Sequence, residues 1–149
     1  MLSPRNSRFS VSAFVLDTSI ALKWLLEDEH DRAYSVALLH SVGDEHRPIV
    51  PWLWFYEMAN AILVQIRRER ISAEEASAFL RLIGEMPIEV DTPDRLAILQ
   101  PFRFARQNRL TCYDAAFLDL ARRLNAPLAT DDKELIRAAS ECGVQLFAA

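Results

Sequence analysis

The sequence is poor in cysteine, glycine and lysine, and it has no long apolar run. Its two cysteines, Cys112 and Cys142, are too few and too far apart for a disulfide framework or for a zinc site with paired short spacings. The apolar stretch near the N-terminus is about as long as one strand and ends at Asp17, so it predicts neither a signal peptide nor a membrane span. We therefore expect a protein of the reducing cytoplasm that does not bind a membrane.

The composition is that of one globular domain. The chain has 149 residues, of which 51% are hydrophobic and 26% charged, enough to bury a core without covalent cross-links. We expect a tail over residues 1–12 and a domain over residues 13–149. The formal net charge is −4 and the basic residues are almost all arginines, which argues against nucleic-acid binding through a broad basic surface.

Short apolar runs alternate with helical patterns along the whole chain. The predicted strands cover residues 12–16, 48–51, 88–90, 127–129 and 144–147. The predicted helices follow the first strand at once and then cover residues 29–41, 52–68, 72–83, 93–107, 111–124 and 132–141. Pro48 and Pro51 are expected to mark the limits of the second strand. Gly84 together with Pro87 is expected to end a helix that opens with a Ser72/Glu75 capping box.

This alternation predicts an α/β fold with a central parallel sheet of about four to five strands. Strands that alternate with helices pair in parallel and are covered by helices on both faces, which explains why they are apolar throughout. In such sheets a ligand binds beyond the carboxyl ends of the strands, where the strand order reverses. Asp17 and Asp132 both come directly after predicted strands.

Four of the acidic positions have an ordinary structural explanation. Asp17 precedes a helix and is a favoured N-cap residue, and Thr111 with Asp114 resembles a capping box. Asp131 and Asp132 both enter a helix, where a carboxylate interacts favourably with the helix dipole. The sequence alone therefore leaves capping and ligand binding open at each of them.

Glu57 is harder to explain as a structural residue. Nearly every side chain from residue 52 to 66 is apolar, and the exceptions Glu57 and Asn60 lie three positions apart on one helical face. A carboxylate in such a helix needs a partner, and a salt bridge to Lys or Arg is the structural alternative. If strand ends and helix starts bring these acids together, their repulsion would raise their pKa values or require a cation.

Four carboxylates in one pocket would favour a hard divalent ion. An all-oxygen site selects Mg²⁺ or Mn²⁺ rather than zinc. Such an ion holds phosphate oxygens, activates a water and stabilises the charge that develops when that water attacks a phosphodiester. If the four carboxylates share a cation, their oxygens should converge within reach of it.

Four sequence blocks resemble the PIN-domain family, and especially the VapC-like toxins of VapBC toxin–antitoxin systems. The blocks are VLDTS at 15–19, EMANAI at 57–62, LTCYDAAFL at 110–118 and PLATDDKEL at 127–135. They occur in the order typical of the family, and the resemblance runs from about residue 13 to residue 147. It implies a three-layer α/β/α fold.

The resemblance also implies a Mg²⁺- or Mn²⁺-dependent endoribonuclease, with metal ligands at Asp17, Glu57, Asp114 and Asp132. The fourth acid is placed by the family pattern Thr-x-Asp-x-x-Leu, which matches Thr130, Asp132 and Leu135 and so favours Asp132 over Asp131. By analogy, four neighbouring polar residues would support the ligands or a water. These residues are Thr18, Ser19, Asn60 and Thr130.

Proteins similar to this one act on RNA, form homodimers and are inhibited by a cognate antitoxin. The antitoxin covers a hydrophobic groove, which requires apolar side chains outside the core. An aromatic row at helical spacing is more often part of the core, so a core role comes first for each candidate. The candidates for that groove are Trp24, Leu25, Trp52, Trp54 and Phe55.

Two other classes compete with this interpretation. A haloacid-dehalogenase-like phosphatase would have a second Asp where Ser19 stands, and a response-regulator receiver would have an acidic pair at the end of the first strand. The remaining alternative is a non-catalytic PIN-like binding module that acts through a protein partner. Divalent-ion binding would separate that module from the enzyme.

Overall fold

The computed structural model describes residues 11–27, 30 and 32–148. Its four strands are β1 (Ser12–Leu16), β2 (His46–Pro51), β3 (Glu89–Asp91) and β4 (Leu128–Ala129). Its seven α-helices within those residues are α1 (Thr18–Leu25), α2 (Arg32–Ser41), α3 (Trp54–Arg67), α4 (Ala73–Glu85), α5 (Leu99–Asn108), α6 (Cys112–Leu124) and α7 (Lys133–Glu141). A 3₁₀ helix, Arg95–Ile98, precedes α5.

The strands form one parallel sheet in the order β3-β2-β1-β4, flanked by the helices. The predicted α/β fold with a parallel sheet is therefore confirmed. The chain adds β2 and β3 on one side of β1 and then crosses to place β4 on the other side. The strand order thus reverses between β1 and β4, and this is the position where open parallel sheets bind ligands.

The core is centred on β1 and the helices beside it. Phe14, Val15 and Leu16 are completely buried, as are Trp54 on α3 and Phe117 on α6. Helix α6 packs against β1, β2 and β4. The strands and helices that carry the acidic residues are therefore held by a common core. No helix in the described part of the chain is long and apolar enough to cross a membrane.

Residues 144–147 do not form the predicted fifth strand. They contribute only an isolated bridge between Leu128 and Leu146, with a hydrogen bond from Phe147 N to Leu128 O of 2.9 Å. Because β4 is only two residues long, it offers no room for a longer ladder.

Proline and glycine also interrupt the structure less than expected. Pro48 lies inside β2, where β2 has a neighbour on one side only, because its pairing with β3 starts at Ile49. Gly84 does not end α4, which continues to Glu85.

The predicted helix over 93–107 is divided in two. Asp94 caps the 3₁₀ helix, and α5 follows with Pro101 in its first turn, where a missing N–H costs no helical hydrogen bond. The predicted helix over 29–41 is described from Arg32 onward, and residues 29 and 31 lie outside the described part. Most of the predicted tail, residues 1–10, also lies outside it.

Candidate active site

The four acids selected from the sequence line one cleft. Asp17 follows β1 and Asp132 follows β4, so both lie at the reversal of strand order, while Glu57 and Asp114 lie in the first turns of α3 and α6. The cleft has a volume of about 580 Å³. Its lining also includes three of the predicted supporting residues, Thr18, Ser19 and Asn60.

Asp17 is the buried acid of the four, with 7% of its surface exposed. Its Oδ2 accepts hydrogen bonds from the hydroxyls of Ser19, at 2.7 Å, and Thr130, at 2.6 Å. Burial raises the pKa of Asp17, and the Asp114 charge raises it further, although the hydroxyl donors oppose the shift. Asp17 does not cap α1 through its side chain, so helix capping does not explain its presence.

Glu57 is half-buried on α3 and accepts a hydrogen bond from the Thr18 hydroxyl at 3.2 Å. Among the described residues, no Lys or Arg lines the cleft, so the salt bridge considered for Glu57 is not found there. Burial and the charges of Asp17 and Asp114 raise the pKa of Glu57 to about 7. The negative charge of the cleft is therefore not balanced by any cation among its described lining residues.

Asp114 and Asp132 do have the structural roles that their positions allow. Asp114 Oδ2 accepts from the Thr111 hydroxyl at 2.7 Å, and its N–H donates back to Thr111 Oγ1 at 3.1 Å. Asp132 caps α7, since its Oδ1 accepts from Leu135 N at 2.8 Å. Each of these carboxylates also lines the cleft, so capping and ligand binding are compatible at both positions.

The two adjacent acids after β4 differ in their contacts. Asp131 forms an ion pair with Lys23 and does not line the cleft, whereas Asp132 does. The backbone around them is tied to Asp17: Asp131 N donates to Ser19 Oγ at 3.0 Å, and Asp132 N donates to Thr130 Oγ1 at 3.1 Å. Ser19 and Thr130 therefore each bind the Asp17 carboxylate and the turn after β4 at once.

The donor set is chemically suited to a hydrated Mg²⁺ or Mn²⁺ ion. It consists of carboxylates and hydroxyls with no thiol or imidazole in the lining. In the described part of the chain, however, no three acidic, histidine or cysteine side chains lie close enough to form a ready metal cage. Mg²⁺ usually keeps several waters and binds one or two carboxylates directly, so a cleft of spaced carboxylates fits it.

Aromatic residues of the cleft were only partly anticipated. Of the five apolar candidates for a partner groove, Trp24 and Trp54 are core residues, which is the alternative that the sequence favoured for each of them. Trp52 is exposed and lines the cleft, together with Tyr56 and Tyr113, which the sequence analysis missed. The available signal was that each tyrosine directly precedes an acid of the cleft, Glu57 or Asp114.

The fold resembles solved structures from several organisms. One is PAE2754 from Pyrobaculum aerophilum, with a TM-score of 0.66, 21% identity, and coverage of 85% of this chain and 86% of that chain. Another is VapC20 of Mycobacterium tuberculosis, described as a toxin that cleaves the sarcin–ricin loop, with a TM-score of 0.69, 13% identity, and coverage of 93% and 100%. A third is VapBC-1 from nontypeable Haemophilus influenzae, with a TM-score of 0.61, 16% identity, and coverage of 91% and 96%.

At these identities the structures establish a shared fold only. No curated protein sequence matches the chain. The family model described as the PIN domain matches residues 14–141, which include all four acids of the cleft. The chain therefore belongs to the PIN domain family.

Proposed function

We propose that this protein is a Mg²⁺- or Mn²⁺-dependent endoribonuclease and the toxin component of a VapBC-type toxin–antitoxin module. PIN domains are generally nucleases, and the VapC-type structures share this fold. The observation that carries the proposal is the cleft itself. Four carboxylates from four separate segments line it at the reversal of strand order, with no cation among its described lining residues.

The proposed metal ligands and catalytic residues are Asp17, Glu57, Asp114 and Asp132. When bound, the ion supplies Lewis-acid chemistry for hydrolysis of an RNA phosphodiester bond by water. The raised pKa values of Asp17 and Glu57 support this assignment, because a cation would relieve the repulsion that disfavours their charged forms. Asp132 is preferred over Asp131, whose carboxylate is already paired with Lys23.

The polar neighbours hold these carboxylates in position. Ser19 and Thr130 fix the orientation of Asp17, and Thr18 holds Glu57. Asn60 lies on the cleft surface within the same helix as Glu57, where its amide can bind a water or a phosphate oxygen. Such supporting hydrogen bonds keep ligand oxygens oriented and are worth about 10–100-fold in metal affinity.

The proposed partners are an RNA substrate, a cognate antitoxin and a second copy of this chain in a homodimer. Antitoxin binding is supported by the likeness to the VapBC structures. The RNA substrate and the homodimer are proposed from the family resemblance of the four sequence blocks. We further propose that the protein acts in the cytoplasm, consistent with its two free cysteines.

The competing function is a non-catalytic PIN-like binding module that acts through a protein partner. It is favoured by one observation, that no three potential ligands in the described residues already form a metal cage. It requires that the acids serve only as caps. The absence of a side-chain cap from Asp17 and the unbalanced charge near Glu57 speak against it.

Cleavage of a mixed cellular RNA pool tests the proposal. Purified, antitoxin-free protein is compared in Mg²⁺, Mn²⁺ and EDTA, beside Asp114→Asn prepared identically. Glu74→Gln, which removes an exposed acid on α4 outside the cleft, is the matched control. We expect metal-dependent cutting that Asp114→Asn loses and Glu74→Gln keeps. Binding of RNA or of a protein partner without any cutting would instead support the binding module.

A further inference from the structure

Three exposed aromatic side chains line the same cleft as the carboxylates. Trp52, Tyr56 and Tyr113 all line the cleft and are 55%, 72% and 63% exposed. Large aromatic side chains are usually buried, so three with most of their surface free around one cleft offer an extended apolar surface to a ligand.

The backbone holds these aromatic residues close to the proposed ligands. Tyr56 directly precedes Glu57 on α3, and Tyr113 directly precedes Asp114 in the first turn of α6. Both helices are anchored in the core. Trp52 lies between β2 and α3. Its backbone N–H donates to the backbone O of Asp91 at 3.1 Å, which holds the Trp52 backbone against β3. The three aromatic positions are therefore set by the same elements that position the acids.

Electrostatics of the cleft limit how it can hold RNA. Its described lining contains acids and no Lys or Arg, and the whole chain carries a formal net charge of −4. The phosphate backbone therefore gains no attraction from a cationic side chain of the described lining. Nucleobases are uncharged and flat, and they stack on aromatic side chains with little dependence on sequence. The bases are thus the part of an RNA strand that the cleft surface can bind.

Space for a base is available beside the carboxylates. A second cavity of about 590 Å³ shares Trp52, Leu53 and Tyr113 with the cleft, so the aromatic pair lies where the two cavities meet. This volume is within the range of small-ligand sites. Arg95 and Arg123 both line this second cavity. The Arg123 guanidinium is already bound to Asp91, at 2.6 Å, and to Asp119, at 3.0 Å.

We propose that Trp52, Tyr113 and Tyr56 form a stacking site for unpaired bases next to the phosphate that is cut. The proposal rests on the ribonuclease function proposed above and assigns the residues that position its substrate strand, whose bases must be unpaired to stack on them. A base inside a duplex has both faces covered by its neighbours and cannot stack on these side chains. The aromatic residues position the strand, and the carboxylates act on it.

Tryptophan fluorescence gives a direct test of binding. Trp24 and Trp54 are buried, so quenching by an added base reports on Trp52. In EDTA, a short single-stranded RNA of mixed sequence should quench the fluorescence and raise the anisotropy of a labelled strand, whereas a duplex of the same sequence should do so much less. Trp52→Ala should weaken single-strand binding by about fivefold to 150-fold, and Trp52→Phe should restore most of it.

Matched variants separate stacking from a general surface effect. Tyr113→Ala should weaken binding in the same direction, whereas Phe102→Ala, at an aromatic position 49% exposed but outside both cavities, should not. Equal affinity of wild type and Trp52→Ala for single strands would overturn the proposal, as would equal binding of single strands and duplexes. A change in oligomeric mass in Trp52→Ala with unchanged RNA affinity would assign this surface to a second copy instead.

Cleavage assays then distinguish the two proposals. If the stacking site is right, Trp52→Ala raises KM for RNA while the Mn²⁺-induced thermal shift stays as in wild type. Failure of the ribonuclease function appears as wild-type protein that binds single strands but cuts nothing in Mn²⁺. Failure of the stacking site appears as normal cutting, with wild-type KM, by Trp52→Ala.

Discussion

Asp17 depends on two hydroxyls that reach it from different parts of the chain. Ser19 is two residues away, but Thr130 comes from the turn after β4 and also accepts the Asp132 N–H. Removing the Thr130 hydroxyl therefore leaves Asp17 with one donor fewer and a backbone N–H without its acceptor. The Asp17 carboxylate and the Asp132 N–H are buried or partly buried, and a buried polar group that loses its hydrogen bond destabilises the folded protein.

Thr130→Val tests this double role. We expect a loss of about 1–3 kcal/mol in the free energy of unfolding, measured by urea denaturation, because Val keeps the volume but not the hydrogen bonds. Mn²⁺ affinity should fall about 10–100-fold. Ser77→Ala removes an exposed hydroxyl bound to Ala73 O and should change stability by less than about 0.5 kcal/mol. Unchanged stability and metal affinity in Thr130→Val would contradict this role.

Glu57 makes the stability of the metal-free protein depend on pH. Its pKa is about 7 in the folded protein, against 4.5 for the free side chain, so the folded state holds a proton that the unfolded state has lost. Stability should therefore fall as the pH rises from about 4.5 to 7, and Asp17, whose pKa is also raised, acts in the same direction.

Thermal unfolding in EDTA between pH 4.5 and 8 measures this dependence. Glu57→Gln cannot ionise, so its melting temperature should fall less steeply over this range than that of wild type. Glu74→Gln, outside the cleft, should keep the wild-type slope. If the melting temperature of Glu57→Gln falls with pH as steeply as that of wild type, Glu57 is not the source of the pH dependence.

At the scale of single elements, the helix starts were the most predictable features. The Ser72/Glu75 capping box, the Thr111 cap and the start near Asp132 are all present, because capping depends on residues three or four apart. The strand over 144–147 could not be predicted reliably, since a strand exists only if its neighbour is long enough to pair with it. The neighbour here, β4, has two residues.

The same distinction between local and distant interactions applies to the site. Asp17 and Asp132 were found because both follow strands, which is a local signal. The pairing of Asp131 with Lys23 and the bond between Thr130 and Asp17 join residues more than one hundred positions apart. Only the fold brings such partners together, so residue spacing alone did not separate Asp131 from Asp132, and the choice of Asp132 depended on the family pattern.

Gly84 lies inside α4 rather than at its end, and replacing it tests how much a glycine destabilises this helix. A Cβ at Gly84 would meet no atom within 4 Å, and the backbone there is helical. Gly84→Ala should therefore stabilise the protein by about 0.5–1 kcal/mol, by urea denaturation, because glycine loses more backbone entropy on folding. Gly143→Ala is the contrast: at φ +72° an L-residue is strained, and stability should fall by about 1 kcal/mol. Destabilisation by Gly84→Ala would contradict the description of Gly84 as a helical residue with open space at its Cβ position.

At the scale of the whole molecule, the crossover from β3 to β4 assembles the cleft. The acids at 17, 57, 114 and 132 are widely spaced in the chain, and the core fixes the elements that present them. Folding therefore brings like charges together at a cost that the rest of the structure must offset. A divalent ion that binds only the folded state would offset this repulsion and raise the free energy of unfolding.

Mn²⁺ should accordingly raise the melting temperature of the intact protein. At one hundred times its dissociation constant the ion adds about 2.7 kcal/mol, or about 5–10 °C for a chain of this size. EDTA should reverse the shift, Asp17→Asn should abolish most of it, and Glu74→Gln should retain it. NaCl at matched ionic strength controls for general screening. If NaCl gives the same shift, the stabilisation is screening of the net charge, and the cleft holds no specific cation.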